Sequence, residues 1–282
     1  MENMDKITAI ILTLNEELNI EKCIQTIKKI TNKIILVDSG STDKTVEIAK
    51  RYGARIFNHE FETHARQFNW ALENIDIETE WIIRLDADER ISDQLALEIT
   101  DTLEKKDLSN ISGFVVKFKT YFLGKQLRWG GVYPFKKMIL FRKGIGVYED
   151  KQMDEHIILS SGKSLTFKSD ALHYDFKDIS SLVSKHNWYS SKELLDYNEK
   201  RNLKDQNLSD KTIKSKRNQK NMYYRFPLFF RAHLLFIFRY IIQLGFLDGK
   251  RGLIYHFITT YYYRFVVDAR IYEHNLSKKT KG

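Results

Sequence analysis

Short apolar runs recur at near-regular intervals through the first ninety residues, and they constrain the fold more than any other feature of the chain. Residues 7–12 (ITAIIL), 34–37 (IILV) and 81–85 (WIIRL) are runs of four to six residues, with a weaker one at 55–57 (RIF). Short continuous apolar stretches are the pattern of strands buried on both faces. Between them, residues 18–30 place Ile20, Cys23, Ile24, Ile27 and Ile30 at spacings of three and four, which predicts an amphipathic helix. Residues 44–52 predict a second helix, stopped by Gly53, and a third is expected around 64–74. Strand and helix in alternation imply an α/β fold, a parallel sheet joined by right-handed crossovers.

Ligands in such sheets bind beyond the carboxyl ends of the strands. Thr13-Leu14-Asn15-Glu16-Glu17, Asp38-Ser39-Gly40-Ser41 and Asp86-Ala87-Asp88 all follow predicted strands, so three polar clusters are expected to converge on one crevice. Asp86 and Asp88 stand at i and i+2, on one side of an extended segment. Such a pair can grip a divalent cation, and oxygen ligands suit Mg²⁺ or Mn²⁺; Asp-x-Asp equally starts turns and caps helices. A glycine fingerprint is missing after the first strand and no GxxxxGK[ST] occurs, which argues against a dehydrogenase or P-loop ATPase.

Four blocks, ITAIILTLNEE, IILVDSGSTDKTVEIAKRYGA, HARQFNWALE and WIIRLDADERIS, cover residues 7–92. In order and spacing they resemble the inverting family 2 glycosyltransferases, in particular the branch similar to lipopolysaccharide core and other cell-envelope polysaccharide enzymes. The resemblance continues more loosely through YFLGKQLRWGGVYP, LFRKG and QLGFLDGKRG. It implies a GT-A fold, with a Rossmann-like, mostly parallel central sheet flanked by helices. It also implies sugar transfer from a nucleotide donor, usually with a divalent metal.

Residue roles follow from the same resemblance. Asp38 matches an aspartate that accepts a hydrogen bond from the donor base, as a carboxylate can from uracil N3–H; alternatively it only starts a turn. Thr13, Asn15 and Glu16 match the loop along the nucleoside, with Glu16 and Glu17 left open as the inward acid. Ser39 and Ala87 fall within the matched nucleotide-sugar blocks, and Arg66 matches a basic donor-binding position. Asp86 is assigned to ribose and metal-water contacts, Asp88 to the metal, and His173 to the metal shell or to a structural role. Inverting transfer needs a base to take the acceptor proton. Asp154 and Glu155 are the candidates: the second position is the better match, but the order Asp then Glu departs from related branches and leaves the choice open. Glu89 and Arg90 read as the solvated start of the next helix. Gly130-Gly131 would let backbone approach a substrate, Trp129 could stack on a sugar face, and Arg142 could neutralise a phosphate.

Composition sharpens the C-terminal half. The net charge of +9 includes a basic, weakly hydrophobic stretch at 201–221, a linker or helix. Residues 222–282 are dense in Phe, Tyr, Ile and Leu, with Arg225, Arg231, Arg239, Lys250, Arg251, Arg264 and Arg270 interleaved. No uncharged stretch there reaches the length of about 18 residues needed to span a bilayer, so a helical membrane-associating extension on an anionic surface is expected. A helical subdomain or oligomer contact is the alternative. No zinc-binding spacing or RNP motif supports nucleic acid binding. Cys23 reads as core packing. Residues 1–6 are polar and 7–12 too short for a signal's apolar region, giving an expectation of a cytoplasmic, peripheral location on the inner face of the cytoplasmic membrane.

The expected organisation is a GT-A catalytic domain at 1–200, split into a nucleotide-sugar half (1–110) and an acceptor half (111–200), followed by the linker and the extension. The expected activity is metal-dependent transfer from a nucleotide-sugar donor, a UDP-hexose, to a glycolipid or lipid-linked saccharide. Rivals are a nucleotidyltransferase acting on sugar phosphates and a non-catalytic membrane scaffold.

Overall fold

The computed structural model describes residues 6–105, 107–149, 156–174, 177–200 and 222–279. They divide into two compact units. The first comprises the described residues of 1–121, 134–151 and 155–175, the second those of 122–133 and 176–282.

In the first unit the predicted alternation is realised: β1 (Ile7–Thr13), α1 (Ile20–Ile27), β2 (Lys33–Asp38), α2 (Thr45–Arg51), β3 (Arg55–Asn58), α3 (His64–Asn74) and β4 (Trp81–Asp86). Then come β5 (Glu89–Ile91), α4 (Asp93–Lys105) and β6 (Ile111–Phe122). After β7 (Lys125–Gln126), which belongs to the second unit, the first resumes with β8 (Phe135–Arg142), β9 (Gly146–Tyr148), β10 (Ile157–Leu159) and β11 (Lys163–His173). The sheet runs β3-β2-β1-β4-β8-β6-β11-β5. Its first four strands are parallel. Beyond β4 the pairing is mixed, with β4–β8, β8–β6 and β11–β5 antiparallel. Four of the seven pairings in this order are parallel, β6–β11 included, as expected of a mostly parallel sheet, and the antiparallel ones all lie beyond β4.

Period-two alternation in β1 explains the layering. Ile7, Ala9 and Ile11 pack in one core with Ile20, Cys23, Ile24 and Ile27 of α1, Ala49 of α2 and Leu95 and Ile99 of α4. Ile10 and Leu12 pack in the other with Ala65, Phe68 and Ala71 of α3. Helices cover both faces, so β1 is buried throughout, and its two threonines are hydrogen-bonded, Thr8 to the Thr79 hydroxyl and Thr13 to Asp38. Cys23 is fully buried, as read from the helix pattern. Burial pushes its thiol pKa far up, so it is inert packing.

The second unit is helical: α5 (Ile179–Lys200), α6 (Phe230–Ile237) with a π-helical turn at Phe238–Ile242, a 3-10 turn at Gly245–Asp248, α7 (Gly249–His256), a further π-helical turn at Phe257–Tyr262, and α8 (Tyr263–Lys279). α5 and residues 122–133 group with the C-terminal helices, so the boundary expected at 200 differs from the observed one. The basic stretch 201–221 lies outside the described residues. Internal charges hold this unit together. Arg231 pairs with Asp268, both essentially buried, while Glu193 takes Arg264 at 2.6 Å and the Tyr224 hydroxyl at 2.5 Å. Arg270 bonds Ser190 and Asn187 of α5. These arginines are internal struts, not the interfacial cations that their sequence spacing suggested.

Candidate active site

Register brings the strand ends together. Thr13 stands beside Asp38 across β1–β2, and Leu12 beside Asp86 across β1–β4, so the polar clusters share the carboxyl edge of one sheet. Alternation carries Thr13 and Asp38 to the face covered by α1, and Arg84 and Asp86 to the face covered by α3. The shared locus is the edge itself.

Asp38, 2 % exposed, accepts four hydrogen bonds. The Thr13 hydroxyl (3.0 Å) and Ser41 hydroxyl (2.5 Å) reach one oxygen, and the backbone N–H groups of Gly40 (3.0 Å) and Ser41 (2.7 Å) the other. Asp38 thus builds the turn at 39–41, where Gly40 takes φ +91°. The neighbouring loop is laced to it. Asn15, at φ +54°, donates its N–H to Ser41 Oγ at 2.8 Å and accepts Thr42 N–H at 2.8 Å. Glu16 N–H bonds Thr45 Oγ1 at 2.7 Å. Of the two glutamates, Glu16 is half-buried with its carboxylate on Asn19, while Glu17 is exposed and caps Lys44 N–H. Ser39 accepts from Gln67 Nε2 of α3 at 2.8 Å. Arg66 is half exposed and pairs with Glu62 at 2.6 Å, one turn away.

The acidic pair divides its work. Asp86 pairs with Arg84 and with Lys137 of β8 at 2.9 Å. Lys137 also reaches Glu89 at 2.8 Å, and Glu89 accepts the Asp86 N–H at 2.9 Å. Two cations and two carboxylates form one compact, balanced network. Burial alone would raise the Asp86 carboxyl, but Arg84 and then Lys137 outweigh it and hold it well below the usual range. Burial pushes Glu89 up, opposed by Lys137 and reinforced by Asp86. Burial and Arg84 would lower Lys137, but Asp86 and Glu89 lift it to about 12. Paired this way, the buried charges meet the condition under which they are tolerated.

Asp88 faces elsewhere. β5 pairs antiparallel with β11, setting His173 opposite Glu89, and the Asp88 carbonyl accepts Tyr174 N–H at 2.8 Å. His173 Nε2 lies 3.6 Å from Asp88 Oδ2. Ala87 is buried, and its carbonyl is held by Arg90 Nη1 at 2.7 Å, while Arg90 Nη2 reaches Asn19 at 3.1 Å. Glu89 and Arg90 are therefore not the solvated start of a helix. They form a buried strand, 2 % and 5 % exposed, because pairing to β11 overrides the local helix signal.

Other sequence-derived readings fare differently. Arg142 is structural: it donates to the carbonyls of Ile111 and Leu108, pairs with Glu80 and covers the Trp81 ring at 4.6 Å. Gly130 and Gly131 do take positive φ (+68° and +71°), but the close approach they permit is to His256 and Gln243, since a Cβ on Gly130 would fall 2.0 Å from His256 Nε2. Asp248 accepts the N–H groups of Arg128 and Trp129 at 3.0 Å, and Gly130 N–H bonds the Gln243 carbonyl at 2.9 Å. The RWGG and QLGFLDGKRG segments thus bind each other. Asp154 and Glu155 lie outside the described residues.

No group of three or more His, Cys, Asp or Glu gathers for a metal among the described residues. What is present is one oxygen and one imidazole nitrogen donor, Asp88 and His173. Two such donors would hold a cation only if substrate phosphates and water supplied its remaining ligands.

The model of glycosyl transferase family 2 matches residues 8–161. A glycosyltransferase of Rickettsia typhi is 30% identical over 202 residues, 68% of each chain. The lipopolysaccharide core biosynthesis glycosyltransferase LpsC of Rhizobium meliloti is 28% identical over 191 residues, 66% of this chain and 69% of its own. Among solved structures, the mannosyltransferase PcManGT of Pyrobaculum calidifontis, in complex with GDP-Man and Mn²⁺, superimposes with a TM-score of 0.53 over 94% of this chain and 86% of its own, at 13% identity. The fold is therefore GT-A, a Rossmann-like mixed sheet flanked by helices. The chain belongs to glycosyl transferase family 2, which decides against the nucleotidyltransferase reading.

Proposed function

We propose that the protein transfers a sugar from a nucleotide-sugar donor, a UDP-hexose, to a glycolipid or lipid-linked saccharide of the bacterial cell envelope, with inversion and with Mn²⁺ or Mg²⁺. One observation carries the reading: His173 sits 3.6 Å from Asp88 at the carboxyl edge, beside an Asp86 already neutralised by Arg84 and Lys137. A divalent cation held by Asp88 and His173 would offset the charge that a nucleoside diphosphate gains as the glycosidic bond breaks. An imidazole beside a carboxylate suits Mn²⁺ better than Mg²⁺, and the similar mannosyltransferase structure holds Mn²⁺ with its donor.

The remaining roles rest on the chain's own groups. The Thr13–Glu17 and Asp38–Ser41 loops would hold the nucleoside. A base N3–H reaching Asp38 would take the place of a rotatable hydroxyl, Ser41 or Thr13, in its acceptor sites. Arg90 fixes the Ala87 carbonyl and so the pose of the Asp-x-Asp turn. Arg66, exposed on α3 and paired with Glu62, would turn towards a donor phosphate. Asp154 or Glu155 would take the acceptor proton as its oxygen attacks the anomeric carbon. LpsC, the core biosynthesis relative, supports an envelope saccharide as acceptor.

Purified protein with Mn²⁺ or Mg²⁺ and a panel of sugar nucleotides tests this. Metal-dependent hydrolysis or transfer of one donor is expected, together with a rise in melting temperature on binding it. Binding without turnover would instead support the scaffold reading.

A further inference from the structure

The C-terminal helices bury Ile258, Tyr263, Val267 and Ile271, yet they also turn a long apolar face outward and charged groups inward. From 230 to 242 the exposed residues Phe230, Leu234, Ile237, Phe238, Ile241 and Ile242 recur at spacings of three and four, one face of a helix. The covered side of the same helix carries Arg231, buried on Asp268. The return limb repeats the arrangement: Leu253, Phe257 and Phe265 are exposed while His256, Thr260 and Asp268 are buried. Water would select the opposite, apolar residues inward and charges outward. Between the limbs, Leu244, Phe246 and Leu247 are exposed too, and the one charge from 240 to 249, Asp248, is turned inward onto Arg128 and Trp129.

We infer that this face is a monotopic foot seated in one leaflet of an anionic bilayer. Three observations choose that occupant over a protein. Exposed charge among described residues 222–278 is Arg225, Lys250, Arg251 and Lys278 against Glu273 alone, which suits anionic headgroups. The apolar face is continuous along two limbs, far beyond the isolated exposed side chains of soluble proteins. The first limb has 13 residues, about 20 Å of helix, short of the ~30 Å hydrocarbon core. No single helix among the described residues is long and apolar enough to cross a membrane, although the two limbs, bent by 68° at 243–244, pass such a test together. Position of charge decides between a plunging hairpin and a flat one. Lys250 and Arg251 follow the apolar turn within a few residues, so a hairpin driven deep would carry two cations into hydrocarbon at a cost of several kcal/mol. Lying flat, the limbs put Ile241, Ile242, Phe246 and Leu247 at the acyl boundary while Lys250 snorkels to phosphates, joined by the terminal nitrogens of Arg251, whose Nε–H is held on the Leu123 carbonyl at 2.9 Å. A lipid-linked acceptor would be met in this plane; that point rests on the proposed function, whereas the foot does not.

Flotation of the full chain with vesicles of phosphatidylcholine alone, or with 30% phosphatidylglycerol, tests the foot. Binding is expected to the anionic vesicles, at least tenfold weaker to neutral ones and weakened by high salt. Ile242→Glu with Phe246→Glu should lower partitioning at least tenfold, and Lys250→Glu should cut the preference for phosphatidylglycerol. Both side chains of the double variant are exposed, so its far-UV circular dichroism and its melting shift with sugar nucleotide should match the wild type. Wild-type protein that floats with neither vesicle, or a double variant that floats unchanged, overturns the inference. So does sedimentation velocity showing a dimer that the double variant dissociates, since a second copy would then cover the face. Donor binding is read separately, so failure of the foot and failure of the transferase reading are distinguishable.

Discussion

Replacing Lys137 with methionine keeps the stem and removes the charge that two carboxylates share. The ammonium lies 2.9 Å from Asp86 and 2.8 Å from Glu89, and its side chain is 17% exposed, against 3% for Glu89 and 30% for Asp86. Breaking a buried pair costs about 3–5 kcal/mol, because the partner is left uncompensated. Two effects reduce that figure. Asp86 keeps Arg84, and Glu89, whose pKa burial already raises, can take a proton. We expect Lys137→Met to lose about 2–4 kcal/mol, a large part of a typical total of 5–15 kcal/mol. The pH dependence has a definite sign. A carboxyl whose folded pKa lies above its unfolded value, 4.5 for Glu89, contributes most below that value and loses its contribution as pH rises through the folded pKa. The variant's deficit should therefore shrink on going from pH 7.5 to 5. Urea unfolding of wild type, Lys137→Met, Glu89→Gln and the double variant closes a cycle. Adding Glu89→Gln to Lys137→Met should restore stability, because it removes the stranded charge. A single variant within 1 kcal/mol of wild type, or a double variant whose losses simply add, would refute the shared-cation network.

Asp88→Asn should abolish metal-dependent transfer, at least a hundredfold, while circular dichroism and melting stay close to wild type; unchanged turnover removes Asp88 from metal binding. Asp248→Ala leaves the N–H groups of Arg128 and Trp129 without their acceptor and should cost about 2–4 kcal/mol in urea unfolding, with Asp248→Asn retaining part of it. His256 is pushed down to about 4 by burial, with Arg239 adding to it, so the unfolded chain binds its proton first. Stability should fall as pH drops from 6.5 towards 4, by no more than about 2 kcal/mol at pH 5, and the wild-type slope should exceed that of His256→Asn over the same range.

The strands were legible because burial on both faces leaves a continuous apolar signature, and their carboxyl edge followed from the parallel crossover rule. Arg84 was legible in principle: a guanidinium inside WIIRLD must have an acid, and Asp86 two residues on is on its face. Glu89 and Arg90 misled because their local chemistry is that of a helix start. Only β11, some eighty residues further, makes them a strand. Lys137 reaches the site through strand register, which a single sequence does not encode locally, whereas His173 was named by the family resemblance alone. In the C-terminal region, composition revealed arginines among aromatics but not their direction. Arg231, Arg264 and Arg270 point inward because Asp268, Glu193 and Asn187 are there to receive them, and the outward face is more apolar than the sequence reading allowed.

The i, i+2 spacing of Asp86 and Asp88 alone would allow a symmetrical pincer on one ion, whereas the resemblance gave the metal to Asp88, and the neighbours argue for that division of labour. A cation placed between them would also face Lys137 and Arg84, two positive charges on the Asp86 side. At an effective dielectric constant of about 20 a divalent ion about 6 Å from a single positive charge is repelled by roughly 5–6 kcal/mol. Glu89 answers that repulsion: with Asp86 it balances Lys137 and Arg84, so the edge beneath Asp88 is close to neutral. Neutrality on that side lets the negative charge of Asp88, with the His173 nitrogen, act on an incoming ion. Glu89→Gln should then weaken metal-dependent donor binding although Glu89 is assigned no ligand role, whereas Glu89→Gln in the Lys137→Met background should restore it. Equal metal affinity in all three proteins would return the site to the simple pincer.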